Sequence, residues 1–424
     1  MVSRTAAALT AASPAIAEAH FRAEARPYHP ELRPDGYLNL GTAENRLVGD
    51  LLADRLARPG ALTEDDTRYA ELHGSPVLRE RIADLLTRTG HSRVDPENLV
   101  VVSGATAALD IIATILCDPG EAIVVPAPYY AAFDTDLGGR SGARVVPALM
   151  DEADGFALSA RAVDRTVREL GRAGVTVRAV VLASPSNPLG QVHSAEQLRE
   201  LTEVAAAHDL DLVGDELYSH SVFGPTPFTS LRDPAVGPAG SGRTHTIWGF
   251  AKDFGLPGFK TGVLHVTDPR VREAARALSY FAPVSTGTQA FLADLLADPA
   301  WTADYLAENR RRLAASYSAT AEALAQQGIP HIPAEAGCSL WLDLRAHLPE
   351  PGYEGERRLW QTILDQARVS IIPGEIFHPN APGWFRLCHT QDQATVAEAV
   401  ARLGKLLGSG SGSVSGFGSP AQPS

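Results

Sequence analysis

Lysine is nearly absent from this chain. Of 37 cationic residues among 424, only Lys252, Lys260 and Lys405 are lysine, and arginine holds the rest. A desolvated ammonium can shed its proton and become a nucleophile, whereas a guanidinium stays charged. Two of the three lysines stand together in GFAKDFGLPGFKTG, residues 249 to 262. Read singly, each fits a solvated charge in a Gly/Pro-rich loop as well as a Schiff-base amine.

Cysteine is scarce too. Cys117, Cys338 and Cys388 show no CxxC spacing and no pairing pattern, which predicts reduced, buried thiols in a cytoplasmic protein and no metal. No apolar run is long enough to span a bilayer, and the alanine-rich N-terminus lacks the charged start and continuous apolar core of a signal peptide. A net charge of -13 sets the surface against phosphate backbones and anionic lipids, so nucleic acid and membranes are excluded as partners. What remains is a chain with 45% hydrophobic residues, long enough for two or three domains and a large core.

From about residue 95 to 270, short β-branched runs alternate with amphipathic helical segments. NLVVVSG, AIVVP, RVVPAL, VRAVVLAS, DLVGD, HTIWGF and GVLHV predict seven strands, separated by segments such as ATAALDIIATILCD and SAEQLRELTEVAAAHD. The latter opens on Ser194 with Glu196 and Gln197 following, a helix-capping signal. This alternation predicts an α/β fold whose mostly parallel seven-stranded sheet is covered on both faces. Beyond residue 300, a long helix, the runs CSLWLDL, RVSIIPG and WFRLCHT, and a final helix to about Leu407 predict a smaller α+β domain. The expected division is an arm over 1–45, a large domain over 46–298, a small domain over 299–407, and a disordered Gly/Ser-rich tail over 408–424.

Four stretches at strand ends become intelligible around one anionic aromatic cofactor. In SGATAALD, Gly104 frees the backbone and the amides of Ala105 and Thr106 open a helix, a ready anion site. Asn187 stands between prolines in SPSNPLG, able to hydrogen-bond a fixed phenolic oxygen. Asp215 closes the run DLVGD and needs a cationic partner at that depth; Tyr218 follows it. Lys252 ends HTIWGF at the same sheet edge. Taken alone, Gly104 fits an ordinary turn, Asn187 a plain Asn-Pro turn and Asp215 a helix cap.

Together with GTAENRL, CDPGEAIVVPAPYYAAFDTDL and PGWFRLCHT, these stretches resemble the fold-type-I pyridoxal-phosphate (PLP) enzymes. More narrowly, they resemble the 1-aminocyclopropane-1-carboxylate (ACC) synthase branch of the class I/II aminotransferase family, collinearly from about residue 30 to 407. The resemblance implies that Lys252 binds PLP covalently and then serves as the base at Cα, and that Asp215 keeps the pyridine nitrogen protonated. Tyr218 and Asn187 would hydrogen-bond the ring oxygen, Tyr130 would stack on the ring, and Ala105, Thr106 and Lys260 would serve the phosphate. Arg386 would clamp the substrate carboxylate, and Glu44 would position the substrate's amino acid moiety. A homodimer with active sites at the interface is also implied.

The departures are informative. Gly249 and Ala251 stand where the family has serines, Lys260 where it has a phosphate-binding arginine, and Leu72, in ELHG, where it has a tyrosine that crosses to the neighbouring site. The expectation is a biosynthetic enzyme acting on S-adenosylmethionine (SAM) or a similar γ-substituted amino acid, which joins the four-carbon fragment to a second substrate. An ordinary ACC synthase, an aminotransferase and a PLP-binding regulator that has lost catalysis are the other readings. No DNA-binding segment accompanies the last.

Overall fold

The computed structural model describes residues 2–11, 15–57, 62–90, 92–237 and 242–409. The seven predicted strands are β1 (Leu99–Val102), β2 (Ala122–Ala127), β3 (Arg144–Leu149), β4 (Val177–Ala183), β5 (Asp211–Asp215), β6 (Thr244–Gly249) and β7 (Gly262–His265). They form one sheet in the order β1-β7-β6-β5-β4-β2-β3, in which only β7 runs against its neighbours.

Successive residues of a strand face opposite sides, so a sheet covered on both faces needs unbroken apolar runs. Ile123, Val125, Val181 and Ile247 pack with Leu109 and Ile112 of helix α1 (Ala105–Leu116). Val124, Val180 and Leu212 point the other way, to Leu198 and Leu201. The helix carrying those leucines opens with a capping box in which Ser194 and Gln197 satisfy each other's backbone amides.

A second, antiparallel sheet joins β8 (His331–Ile332), β9 (Ser339–Asp343), β10 (Ile372–Pro373) and β11 (Trp384–Cys388) in the order β10-β11-β9-β8. The RVSIIPG run divides: Ile372–Pro373 joins this sheet, while Val369–Ser370 pairs in parallel with Leu38–Asn39 of the N-terminal arm. Ala19, Ala23, Leu38 and Leu40 of the arm are buried with Leu340, Leu342, Phe385 and Leu387 of β9 and β11. Helix α2 (Pro299–Gln326) starts on an Asp298 cap with proline in its first turn, and α3 (Gln393–Ser409) closes the described chain. Helix α3 includes Gly408 and Ser409, the first two residues of the predicted tail; residues 410–424 lie outside the described residues. Among the described residues no helix is long and apolar enough to cross a membrane, and all three cysteines are free and buried.

The reversal of β7 positions the site. Parallel strands β2, β4, β5 and β6 end at one edge, and β7, running the other way, begins there. Gly262 therefore lies opposite both Val102 and Gly249. There is no space for a side chain at this crossing: a Cβ on Gly262 would fall 2.4 Å from the Gly104 carbonyl carbon and 2.6 Å from the Ala105 nitrogen. Gly262→Ala should therefore cost at least about 2 kcal/mol by forcing backbone apart, whereas Gly258→Ala, in the same connection with nothing within 4 Å, should be near neutral. Melting temperatures of the two cofactor-free variants check this; equal values would contradict the packing account.

Candidate active site

Asp215 ends β5, flanked in register by Ala183 on β4 and Ile247 on β6. One carboxylate oxygen accepts from the Leu217 amide at 3.2 Å, and no described residue forms an ion pair with it. Burial pushes its carboxyl up to about 7, against which the Leu217 hydrogen bond and the Lys252 charge pull down only in part. This is a carboxylate awaiting a cation.

Lys252 lies in a single helical turn, Phe250–Asp253, immediately after β6. Its Nζ donates to the Ala43 carbonyl at 2.6 Å, and burial lowers its affinity for the proton below the ordinary lysine value. Arg386, on β11, donates from Nη2 to the Gly41 carbonyl at 2.7 Å and from Nη1 to Asn187 Oδ1 at 3.3 Å, while its Nε has no partner. Its guanidinium lies over the Phe377 ring at 5.1 Å. The arm thus supplies two backbone carbonyls, two residues apart, to the two cations of the site. Tyr218 is buried, packed against Gly337, and burial raises its hydroxyl well above the usual value.

Of the two tyrosines in PYY, Tyr129 is already committed, donating to Asp134 at 2.7 Å and stacked on His378. Tyr130 remains, edge-on to Phe133, its hydroxyl raised by burial and by the nearby Asp136. Glu44 follows Ala43 directly, but its carboxylate is paired with Arg46 at 3.0 Å.

Lys260 comes to the mouth of α1, its Cε 3.6 Å and Nζ 3.8 Å from where a Cβ on Gly104 would stand. Its own backbone is left-handed, with φ at 48°, a conformation costing a non-glycine residue roughly 1 kcal/mol or more. Thr106 donates to Asp136 at 3.2 Å, and burial raises that carboxyl to about 6. The absence of serine at 249 has a steric counterpart: a Cβ on Gly249 would meet the Thr261 carbonyl oxygen at 2.8 Å. Ala251 packs in the apolar cluster beside β6 and β7.

Leu72 is not brought to this cluster within the chain. It is 37% exposed in a segment held against residues 286–289 by the Ser75 amide to Gln289 and by Thr286 to the Asp66 carbonyl.

Sequence reasoning missed Asp253. Fully buried beside Lys252, it accepts from Ser221 Oγ at 2.7 Å, Trp248 Nε1 at 3.0 Å and the His220 amide at 3.2 Å, with His220 Nδ1 at 2.9 Å. Its carbonyl accepts from Asn309, whose amide oxygen accepts from Asn45. One carboxylate therefore ties the turn after Tyr218 to the turn bearing Lys252. An acidic residue directly after the lysine was the available signal.

The residues fit a phosphorylated pyridine aldehyde: a desolvated amine, a carboxylate with no ion-pair partner among the described residues, a guanidinium with a free Nε, and a helix N-terminus with a lysine beside it. Comparison with known proteins agrees. The model of the family described as aminotransferase class I and II matches residues 36–403. The rice (Oryza sativa subsp. japonica) 1-aminocyclopropane-1-carboxylate synthase 5 is 36% identical, with 85% of this chain and 71% of that protein covered. The tomato (Solanum lycopersicum) 1-aminocyclopropane-1-carboxylate synthase 2 is 33% identical over 90% of this chain and 82% of its own length. Among solved structures, an aspartate aminotransferase from Thermus thermophilus with maleate superposes with a TM-score of 0.77 at 24% identity, over 96% of this chain and 99% of that one, a likeness of fold. The chain is a PLP-dependent enzyme of the α/β, fold-type-I architecture. It belongs to the class I and II aminotransferase family and is related within it to the ACC synthases.

The state of Asp215 gives a test. A carboxyl raised from 3.8 to about 7 contributes stability that is whole below pH 3.8 and lost as pH rises through 7. Cofactor-free Asp215→Asn should therefore gain on cofactor-free wild type between about pH 4 and pH 7, by on the order of 4 kcal/mol at most. Urea unfolding across that range measures the difference; a difference flat in pH would rule out a desolvated acid at 215.

Proposed function

We propose that this enzyme takes SAM or a similar γ-substituted amino acid, removes its α-proton, expels the γ-substituent and joins the four-carbon fragment to a second small molecule. The observation that carries this reading is kinship with ACC synthases combined with a rebuilt cofactor cup, where Gly249 has no space for a side chain and Lys260 lies against Gly104. Leu72, in place of the tyrosine expected from the resemblance, adds to it.

Bound PLP supplies the electron sink that makes the α-proton acidic. Lys252 would hold the cofactor's aldehyde carbon, and its amine would take the proton from Cα; burial keeps more of that amine neutral than an exposed lysine's. Asp215 would keep a proton on the pyridine nitrogen, Asn187 and Tyr218 would hydrogen-bond the ring oxygen, and Tyr130 would pack on the ring. The amides of Ala105 and Thr106, with Lys260, would hold the phosphate. Lysine is a point charge rather than a planar fork, so this grip is looser than an arginine's. Arg386 takes the substrate carboxylate on its unpartnered Nε side, and Glu44 positions the amino acid moiety. The site lies between a large unit, 46–298, and a smaller one, 299–407. Three free, buried thiols suit a reducing, cytoplasmic setting.

We also infer a homodimer. Tyr69, three residues before Leu72, is fully exposed and Phe281 is 72% exposed, and the carbonyl of Ala282 accepts from the Ser103 amide next to Gly104. That apolar surface, adjoining the cofactor cup, supports a second copy closing over it and Leu72 entering the neighbour's site.

Borohydride reduction of the loaded enzyme and peptide mapping should place the label on Lys252; a label on Lys260 or Lys405 would refute the assignment of the base. Sedimentation should give a dimer, and an active monomer at assay concentration would refute the shared site. With SAM alone, mass spectrometry should find slow release of methylthioadenosine, which quickens when an electrophilic acceptor such as a pyridinium is added. Stoichiometric ACC from SAM without a second substrate would make this an ordinary ACC synthase. Conversion of PLP to pyridoxamine phosphate by common amino acids, with no methylthioadenosine, would make it an aminotransferase.

A further inference from the structure

The turn after β10 is joined to the PYY turn after β2. Gly374–Phe377 form one short helical turn, and His378 ends it with a left-handed backbone, φ at 58°. From there His378 Nε2 donates to Asp134 Oδ2 at 2.7 Å, since a carboxylate can only accept, and the imidazole stacks on Tyr129 with ring centroids 4.9 Å apart. The other Asp134 oxygen accepts from the Tyr129 hydroxyl at 2.7 Å, and the Tyr129 amide donates to the Phe377 carbonyl at 3.0 Å. Two turns whose contact residues are 244 positions apart are held together side chain to side chain and backbone to backbone.

Stability does not account for this arrangement. The Asp134 and His378 side chains are 43% and 35% exposed, and an ion pair open to water contributes little to folding. The left-handed backbone at 378 disfavours a side chain, so glycine would suit the turn better. What histidine adds there is a ring that reaches Asp134 and Tyr129. The consequence lies in the neighbours. Phe377, directly before His378, is buried, and the Arg386 guanidinium lies over its ring at 5.1 Å. Hydrogen bonds to the Gly41 carbonyl and to Asn187 Oδ1 fix two nitrogens of that guanidinium, and Phe377 backs its face. A contact at the protein surface thus sets where the aromatic seat of a buried cation lies.

We propose that Asp134 and His378 are positioning residues for substrate binding: their contact keeps Phe377 beneath Arg386 and so holds the guanidinium in the orientation that receives the substrate's carboxylate, a role that rests on Arg386 being the carboxylate receptor. Both act through a neighbour, Phe377, rather than on the substrate itself.

Aminooxyacetate and methoxyamine attack the same carbon of bound PLP, and only the first carries a carboxylate. Their second-order rate constants with PLP-loaded protein, followed by the change in the cofactor's visible absorbance, are compared in wild type, His378→Gly, Asp134→Ala, the double variant and Arg386→Gln. Wild type should favour aminooxyacetate by more than free PLP does, and Arg386→Gln should lose that preference. Each single variant should lower it about tenfold, through aminooxyacetate alone. The double variant should be no worse than Asp134→Ala, because both substitutions remove one contact. Glycine suits the left-handed turn, so His378→Gly keeps the test open where Asp134→Ala, which also strips the Tyr129 hydroxyl of its acceptor, fails to fold. A preference that survives both single variants but not Arg386→Gln would overturn the positioning role alone. A preference that survives Arg386→Gln, or is absent from wild type, would overturn the reading of Arg386 and the positioning role with it. Equal slowing of both reagents, or losses that add in the double variant, would mean a general loosening and would also overturn the role.

Discussion

Gly104 and Gly262 meet with no space between them for a methyl group, and the arrangement of the candidate site follows from that contact. The first brings the start of α1 to the sheet edge; the second begins the one strand that runs backwards. Their closeness puts the helix amides of Ala105 and Thr106 and the ammonium of Lys260 on one small volume. Gly249, packed against the Thr261 carbonyl, extends the same constraint to the strand that leads to Lys252. The absence of a side chain at 249 is thus tied to how closely β6 and β7 approach.

Behind this surface, Asp253 gives the site its internal reference. It receives donors from the turn after Tyr218 and from β6, and its carbonyl reaches α2 and the arm through Asn309 and Asn45. Removing one member of such a buried network strands the others, which makes the geometry resistant to small displacements. The arm completes the arrangement from the other side, through the carbonyls of Gly41 and Ala43.

The strands were legible because a sheet covered on both faces leaves few polar interruptions, and RVVPAL corresponds residue for residue to β3. Lys252 and Lys260 stood out by their rarity, and Asp215 and Asn187 by their places at strand ends. What was hidden depended on partners far along the chain. Lys252 meets a carbonyl 209 residues away, and Asp253 binds side chains more than 30 residues earlier. The steric meaning of Gly249 and Gly262 appears only with the antiparallel register of β7. The RVSIIPG run looked continuous because its division reflects a pairing with the arm, which leaves no mark in its own pattern.

Lys252 and Lys260 lie on one short connection whose ends, Gly249 and Gly262, stand opposite each other in the register of the sheet. A single small molecule gripped by both side chains would close a ring with the chain between them. Closing so short a loop removes little freedom from the unfolded chain, because that gain grows only with the logarithm of loop length. Its effect lies in the folded hairpin instead. The two lysines become the legs of one mount, and a shift in the seat of either tilts what they carry relative to Asp215 on the neighbouring strand.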